Sequence, residues 1–239
     1  TDGTYVWADK TSLGGDDCIA VATALAIMAD DSLPHPPLEV VFTIDEETGM
    51  DGAAALDCSD LKGRLLLNLD SEEEGVFTVA CAGGLRADCF LPAARQALNG
   101  ESCFSVSLSG LQGGHSGAEI HKNRANANKV MGDFLGRIQK LMPLCLTSFS
   151  GGSKDNAIPR ACQATVVAMG IGLERINDIA AQLQQEVRET YDEPEALVQA
   201  FDVDALGGNA LTTAATADVI SLLCAAPNGV QAYCPDMPE

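Results

Sequence analysis

Basic residues are scarce: 14 lysines and arginines face 34 acids, a formal charge of −20 over 239 residues. Phosphate backbones and anionic lipid surfaces repel such a chain, so neither nucleic acid nor membrane is expected as a partner. No apolar run approaches the roughly 18 residues of a membrane span, and no segment reads as a signal peptide. Gly-x-Ser-x-Gly, P-loop and Gly-x-Gly-x-x-Gly patterns are absent, which leaves serine-hydrolase and nucleotide chemistry unsupported. The nine cysteines are odd in number and none shows Cys-x-x-Cys spacing. They read as scattered buried thiols of a reducing cytosol rather than as a disulfide framework. Histidine is rare as well, with only His35, His115 and His121.

What is present is apolar in patches and acidic at their ends. An apolar content of 46% supports a sizeable core. The Ala-rich stretch 17–30 reads as a buried helix, with Asp16 or Asp17 placed to cap it. Residues 38–44, 64–69 and 76–81 read as strands, and 49–56 as a short helix. Such alternation predicts an α/β unit with a mixed, partly parallel sheet and flanking helices. After Gly83-Gly84 the texture changes. Strands are predicted at 103–108 and 163–169, and helices at 126–141, 173–190 and 211–225, an α+β sandwich. The boundary falls near 84–86, giving residues 1–85 and 86–239 as two domains.

The acids that end apolar runs carry the chemistry. Val40-Val41-Phe42-Thr43-Ile44 runs into Asp45-Glu46-Glu47, and Leu65-Leu66-Leu67-Asn68-Leu69 into Asp70. Asp16 follows Gly14-Gly15 at a helix start. Carboxylates converging at element ends repel one another unless a cation lies between them, and their oxygens suit zinc, magnesium and manganese alike. In an adjacent pair such as Glu46-Glu47, one carboxylate can hold a metal while the other takes a proton from water. Each acid also has a plainer role open to it: Asp16 as a helix cap, Glu46-Glu47 as a solvated turn, Asp70 as the start of an acidic loop. Glu189, Asp192, Glu193 and Glu195 read as solubilising surface acids. Gly113-Gly114-His115-Ser116-Gly117 can push an imidazole into a cleft or form a turn with an exposed His. His35 and His121 read as ordinary surface positions. In Asn156-Ala157-Ile158-Pro159-Arg160, Arg160 can meet a substrate carboxylate or serve a structural turn.

Together these phrases, with Thr11-Ser12-Leu13-Gly14-Gly15-Asp16-Asp17 and Asn126-Ala127-Asn128-Lys129, resemble the aminoacyl-histidine dipeptidases of the di-zinc exopeptidase superfamily. The resemblance runs in order along nearly the whole chain. It implies two zinc ions bridged by Asp16, with Glu47 on one and Asp70 on the other, and Glu46 as general base. It implies that His115, in a lid and dimerisation domain, stabilises the substrate and the tetrahedral intermediate. Small peptides are the implied substrates, a homodimer the implied assembly and the cytoplasm the implied location. The chain departs from the family pattern in having no His-x-Asp before Asp16, no histidine after His121, and Cys18 where a small residue is usual. It therefore reads as a fragment, inactive by itself. Two other readings stay open: a non-catalytic homologue and an acidic divalent-cation-binding module.

Overall fold

The structure, a computed structural model, describes residues 1–11, 17–47, 49–71, 74–79, 81, 83–98, 103–168, 170–203 and 208–235. Within it the chain forms two compact units, Thr1–Gly83 and Gly84–Glu239. In the first, α1 (Cys18–Ala29) begins at Asp17, whose carboxylate accepts the amide of Ala20 at 3.1 Å. That bond satisfies one of the amides left orphaned at a helix start. A short α2 (Asp51–Ala54) follows Met50, which sits at φ 63°.

Every strand pair among the described residues is antiparallel and lies in the second unit. The segments expected as strands at 38–44 and 64–69 form no ladder there, and 76–81 includes a residue outside those described. A strand requires a partner for its amides and carbonyls and a cover for its apolar face. Here Leu65 and Leu66 are 94% and 90% exposed, so the apolar pattern has neither. A polar contact ties the first segment to the residues just ahead of the second: the Glu39 carboxylate accepts the amides of Lys62 and Gly63. The thiols of the first unit are exposed, and those of the second are divided. No disulfide joins them; Cys103 and Cys162 are buried, but Cys18, Cys58, Cys81, Cys89, Cys224 and Cys234 are exposed, against the expectation of buried thiols.

The second unit runs β1 (Arg95–Leu98), β2 (Cys103–Ser109), β3 (Gly114–His115), α3 (Ala127–Gln139), β4 (Leu144–Gly151), β5 (Ala157–Ile158), β6 (Cys162–Ala168), α4 (Leu173–Tyr191), β7 (Leu197–Val203), β8 (Gly208–Leu211) and α5 (Thr213–Ala225). Its main sheet has the order β4-β6-β2-β7, while β1 pairs with β8 and β3 with β5. Helical periodicity places Val130, Met131, Phe134, Leu135 and Ile138 on the buried face of α3, and Ile176, Ile179, Ala180, Leu183 and Val187 on that of α4. Both stripes share one core with Val106, Leu108, Leu146 and Val166 of the sheet. α5 crosses α3 closely because Gly132 has no side chain; a Cβ there would stand 2.7 Å from Leu223 Cβ. Thr216, fully buried on α5, accepts the amide of Leu146 at 2.9 Å and so ties this helix to edge strand β4. This is the α+β arrangement expected beyond Gly84.

Candidate functional site

Three of the sequence phrases meet in the second unit. His115 lies on β3, whose register sets Gly114 opposite Ile158 and His115 opposite Ala157. Ser116 donates its amide to Asn156 O at 2.8 Å, and Ala127 donates to Pro159 O at 2.8 Å. Asn126 caps α3, accepting the amides of Asn128 and Lys129, and its Nδ2 donates to Asn228. The loop at 113–117, the start of α3 and the turn at 156–160 are thus one construction. The loop and the turn border a cleft of about 820 Å³ lined by Ser109, His115, Ser150, Asn156, Arg160 and Gln163, among others.

The histidine is held in one orientation. Its Nδ1 accepts the amides of Gly117 and Ala118 at 3.0 and 3.1 Å. An imidazole nitrogen that accepts two N–H groups carries no proton, so in the neutral ring the proton sits on Nε2. Glu119 Oε2 accepts the His115 amide at 2.9 Å, and Oε1 holds Lys122 at 2.9 Å and Arg124 at 3.0 Å. The Arg124 guanidinium also donates to Gly113 O. The bond from Lys122, then the His115 amide and the two cationic charges hold the Glu119 carboxyl down at about 2. Glycine is required here: Gly113 and Gly114 have φ of 65° and 142°, and a Cβ on Gly114 would strike Arg124 and Glu119. Arg160 is exposed on the cleft and has no ion-pair partner among the described residues. Cys162, beside it, is buried, and that burial pushes its thiol up to about 12, so it offers no thiolate at neutral pH.

The carboxylates of the first unit stand differently. Asp16 lies outside the described residues. Glu46 and Glu47 are exposed in a turn where Glu46 O accepts the amides of Gly49 and Met50, after Asp45 at φ 56°. The amide of Asp70 donates to Asn68 Oδ1 at 2.9 Å. Among the described residues no group of three or more His, Cys, Asp or Glu side chains is gathered to hold a metal ion. His35 and His121 are exposed, and His35 Nδ1 lies 2.8 Å from Pro36 O.

One acid read as a surface group is not one. Glu193 is fully buried, with its carboxylate on the amides of Gln112 and Ala125. Nothing in Asp192-Glu193-Pro194-Glu195 sets it apart from its neighbours. Glu119 also went unsingled in the sequence, although the Gly113-Gly114 doublet signalled a close approach by some side chain.

Residues 106–195, which hold His115, Glu119, Arg160 and Glu193, match the family described as Peptidase dimerisation domain. The chain is 40% identical over 231 residues to the cytosol non-specific dipeptidase of Escherichia coli (strain K12), covering 96% of this chain and 48% of that protein. The chain is thus similar along almost its whole length to a cytosol non-specific dipeptidase, and it carries the dimerisation-domain match within its second unit. The solved structure of aminoacylhistidine dipeptidase from Vibrio alginolyticus is 32% identical and superposes with a TM-score of 0.71, over 99% of this chain and 49% of that one. The chain spans about half the length of these relatives.

Proposed function

We propose that this chain is part of a metal-dependent dipeptidase of the cytoplasm, acting on small peptides as a homodimer. Its 40% identity to a cytosol non-specific dipeptidase along almost its whole length supports the reaction class. The observation that carries the proposed chemistry is the His115 ring, with Nδ1 occupied by two amides and Nε2 left to donate. Backbone restraint fixes that donor before substrate arrives, so no reorganisation is needed as a carbonyl oxygen gains charge. Arg160 lines the same cleft, has no ion-pair partner among the described residues of a strongly acidic chain, and meets the carboxylate of a short peptide.

Asp16, Glu47 and Asp70 would supply the carboxylate oxygens that hold a divalent cation, with two zinc ions as the specific proposal. Bound there, the metal supplies polarisation of the carbonyl and a more acidic water. Glu46 takes the proton of the attacking water and passes it to the leaving amine. His115 Nε2 donates to the oxygen that becomes negative. The test is dipeptide hydrolysis by the full-length protein and its His115→Ala variant. Loss of one such donor costs about 10²–10³-fold in kcat with metal content unchanged. An unaltered kcat in His115→Ala refutes the role of the ring, and absence of metal-dependent dipeptide hydrolysis in the wild type refutes the reading as a whole.

A further inference from the structure

The segment that carries His115 is closed at both ends by one side chain. Glu193 Oε2 accepts the amide of Gln112 at 2.9 Å, and Oε1 accepts that of Ala125 at 3.3 Å. Glu193 is fully buried and has no cationic partner among the described residues. Burying a carboxylate without a cation is costly, so stability alone gives no reason for an acid at this position. Geometry does. Two backbone amides each reach a different carboxylate oxygen, and a carboxylate offers two acceptors with no donor; an amide side chain would set an NH₂ against one of them. Ala125 also lies just ahead of the α3 N-terminus, where negative charge is favoured.

The clamp is itself firmly mounted. Asp192, at φ 53°, ends α4, and its carbonyl accepts Gln112 Nε2 at 3.0 Å. Glu193 O accepts the amide of Ala196 at 3.0 Å. Gly110, at φ 78°, passes so near the Glu195 carbonyl that no side chain fits. From the clamp inward the contacts are continuous. Gln112 and Ala125 are bridged by Glu193; their chain neighbours Gly113 and Arg124 are bonded directly; Arg124 holds Glu119, and Glu119 holds the His115 amide. Parting the ends draws Arg124 from Gly113 and loosens the restraints that fix the ring.

We infer that Glu193 is a positioning residue for His115, a buried clamp that keeps the imidazole in the single tautomer with Nε2–H toward the cleft. The inference rests on the proposed role of His115 for its effect on turnover, but not for its effect on the ring. The test compares wild type, Glu193→Gln, His115→Ala and the double variant in the full-length protein. Kinetics on a dipeptide are read beside the ring-nitrogen NMR signature of His115. Small misplacement of a catalytic group costs up to about 10²-fold. Glu193→Gln is therefore expected to lower kcat about tenfold or more with KM within about twofold, and to turn one tautomer signature into two. The double variant is expected to be no slower than His115→Ala, because both changes act through one group. A wild-type ring signature in Glu193→Gln, or losses that multiply in the double variant, overturns the clamp. Should Glu193→Gln fail to fold, amide exchange in the wild type decides. Gln112, Ala125, Gly117 and Ala118 should exchange through one common opening, and faster independent exchange of Gly117 and Ala118 overturns it. If His115→Ala keeps full kcat, the proposed function fails while the ring signature of Glu193→Gln still decides the clamp.

Discussion

Glu119 Oε2 accepts the backbone amide of His115 at 2.9 Å, while its other oxygen is held by Lys122 and Arg124. A single carboxylate therefore links the position of the imidazole to two cations, and the link titrates. With Lys122 as the leading cause, the Glu119 carboxyl is held at about 2 against an ordinary value of 4.5. A folded-state value below the unfolded one means that the stabilisation is complete above 4.5 and fades as pH falls from 4.5 to about 2. The side-chain carboxyl signal of Glu119 should stay constant down to about pH 4.5 and shift in the acid range below it. Glu119→Gln should remove that step. A midpoint at or above 4.5 would show that the carboxylate is not so held.

Gly114→Ala tests the same loop by steric means. The new Cβ meets the Arg124 guanidinium and the Glu119 carboxylate, on a residue whose φ is 142°. Strain of this kind costs about 1–3 kcal/mol, and here the loop can relieve it by opening. Turnover in the full-length protein should fall by about tenfold or more, while the thermal transition of the core moves only a few degrees. Gly170→Ala is a control: it has φ 91° but nothing near its Cβ, and it lies far from the loop in sequence. Equal loss of activity in both variants would deny the loop its special place.

Much of the second unit could be read directly. The stripes Val130-Phe134-Ile138 and Ile176-Ala180-Leu183-Val187 repeat at helical spacing, and both helices form within a residue or two of expectation. β2 and β6 were legible as short β-branched and apolar runs. β4 and β7 were not, because their sequences mix Thr, Ser, Gln and Asp into edge strands with one face toward solvent. The His115 loop was legible because its backbone demands glycine, a local property. Glu193 was not, because burial is a property of the whole fold: the same acidic tetrapeptide supplies a buried clamp and exposed neighbours. The apolar runs at 38–44 and 64–69 show the converse. Their patterns are strong, yet a strand exists only beside another strand.

Arg137 ties α3 to α4 and offers a test of stability apart from the site. Its guanidinium reaches Glu186 at 2.6 and 3.0 Å and Asp133 at 2.8 Å. The pairing lowers the Glu186 carboxyl, chiefly through the bond from Arg137. All three side chains are partly exposed, so the pairing is screened and Arg137→Ala should cost about 1 kcal/mol or less. The loss should shrink in about 1 M salt, where screening removes most of an exposed pair's attraction. Chemical denaturation at low and high salt measures both. A loss that does not change with salt would assign the effect to packing of the arginine stem instead.

The adjacent acids Glu46 and Glu47 give the sharpest test of the proposed chemistry, because their assigned roles differ while their exposure does not. Glu46→Gln in the full-length protein keeps the shape of the side chain but removes its capacity to take a proton. Loss of a general base commonly costs about 10²–10⁴-fold, so turnover should collapse while metal content stays at the wild-type level. Glu47→Gln replaces an anionic ligand with a neutral amide and should lower metal content first, with activity partly restored by excess metal. The turn predisposes the pair to such a division: Asp45 at φ 56° and the amides of Gly49 and Met50 on Glu46 O bend the chain where a continuing strand would send the two side chains to opposite faces. Metal analysis and dipeptide hydrolysis on both variants separate the outcomes. Loss of metal in Glu46→Gln with retention in Glu47→Gln would reverse the two roles, and retention of metal and activity in both would leave the pair as a solvated turn.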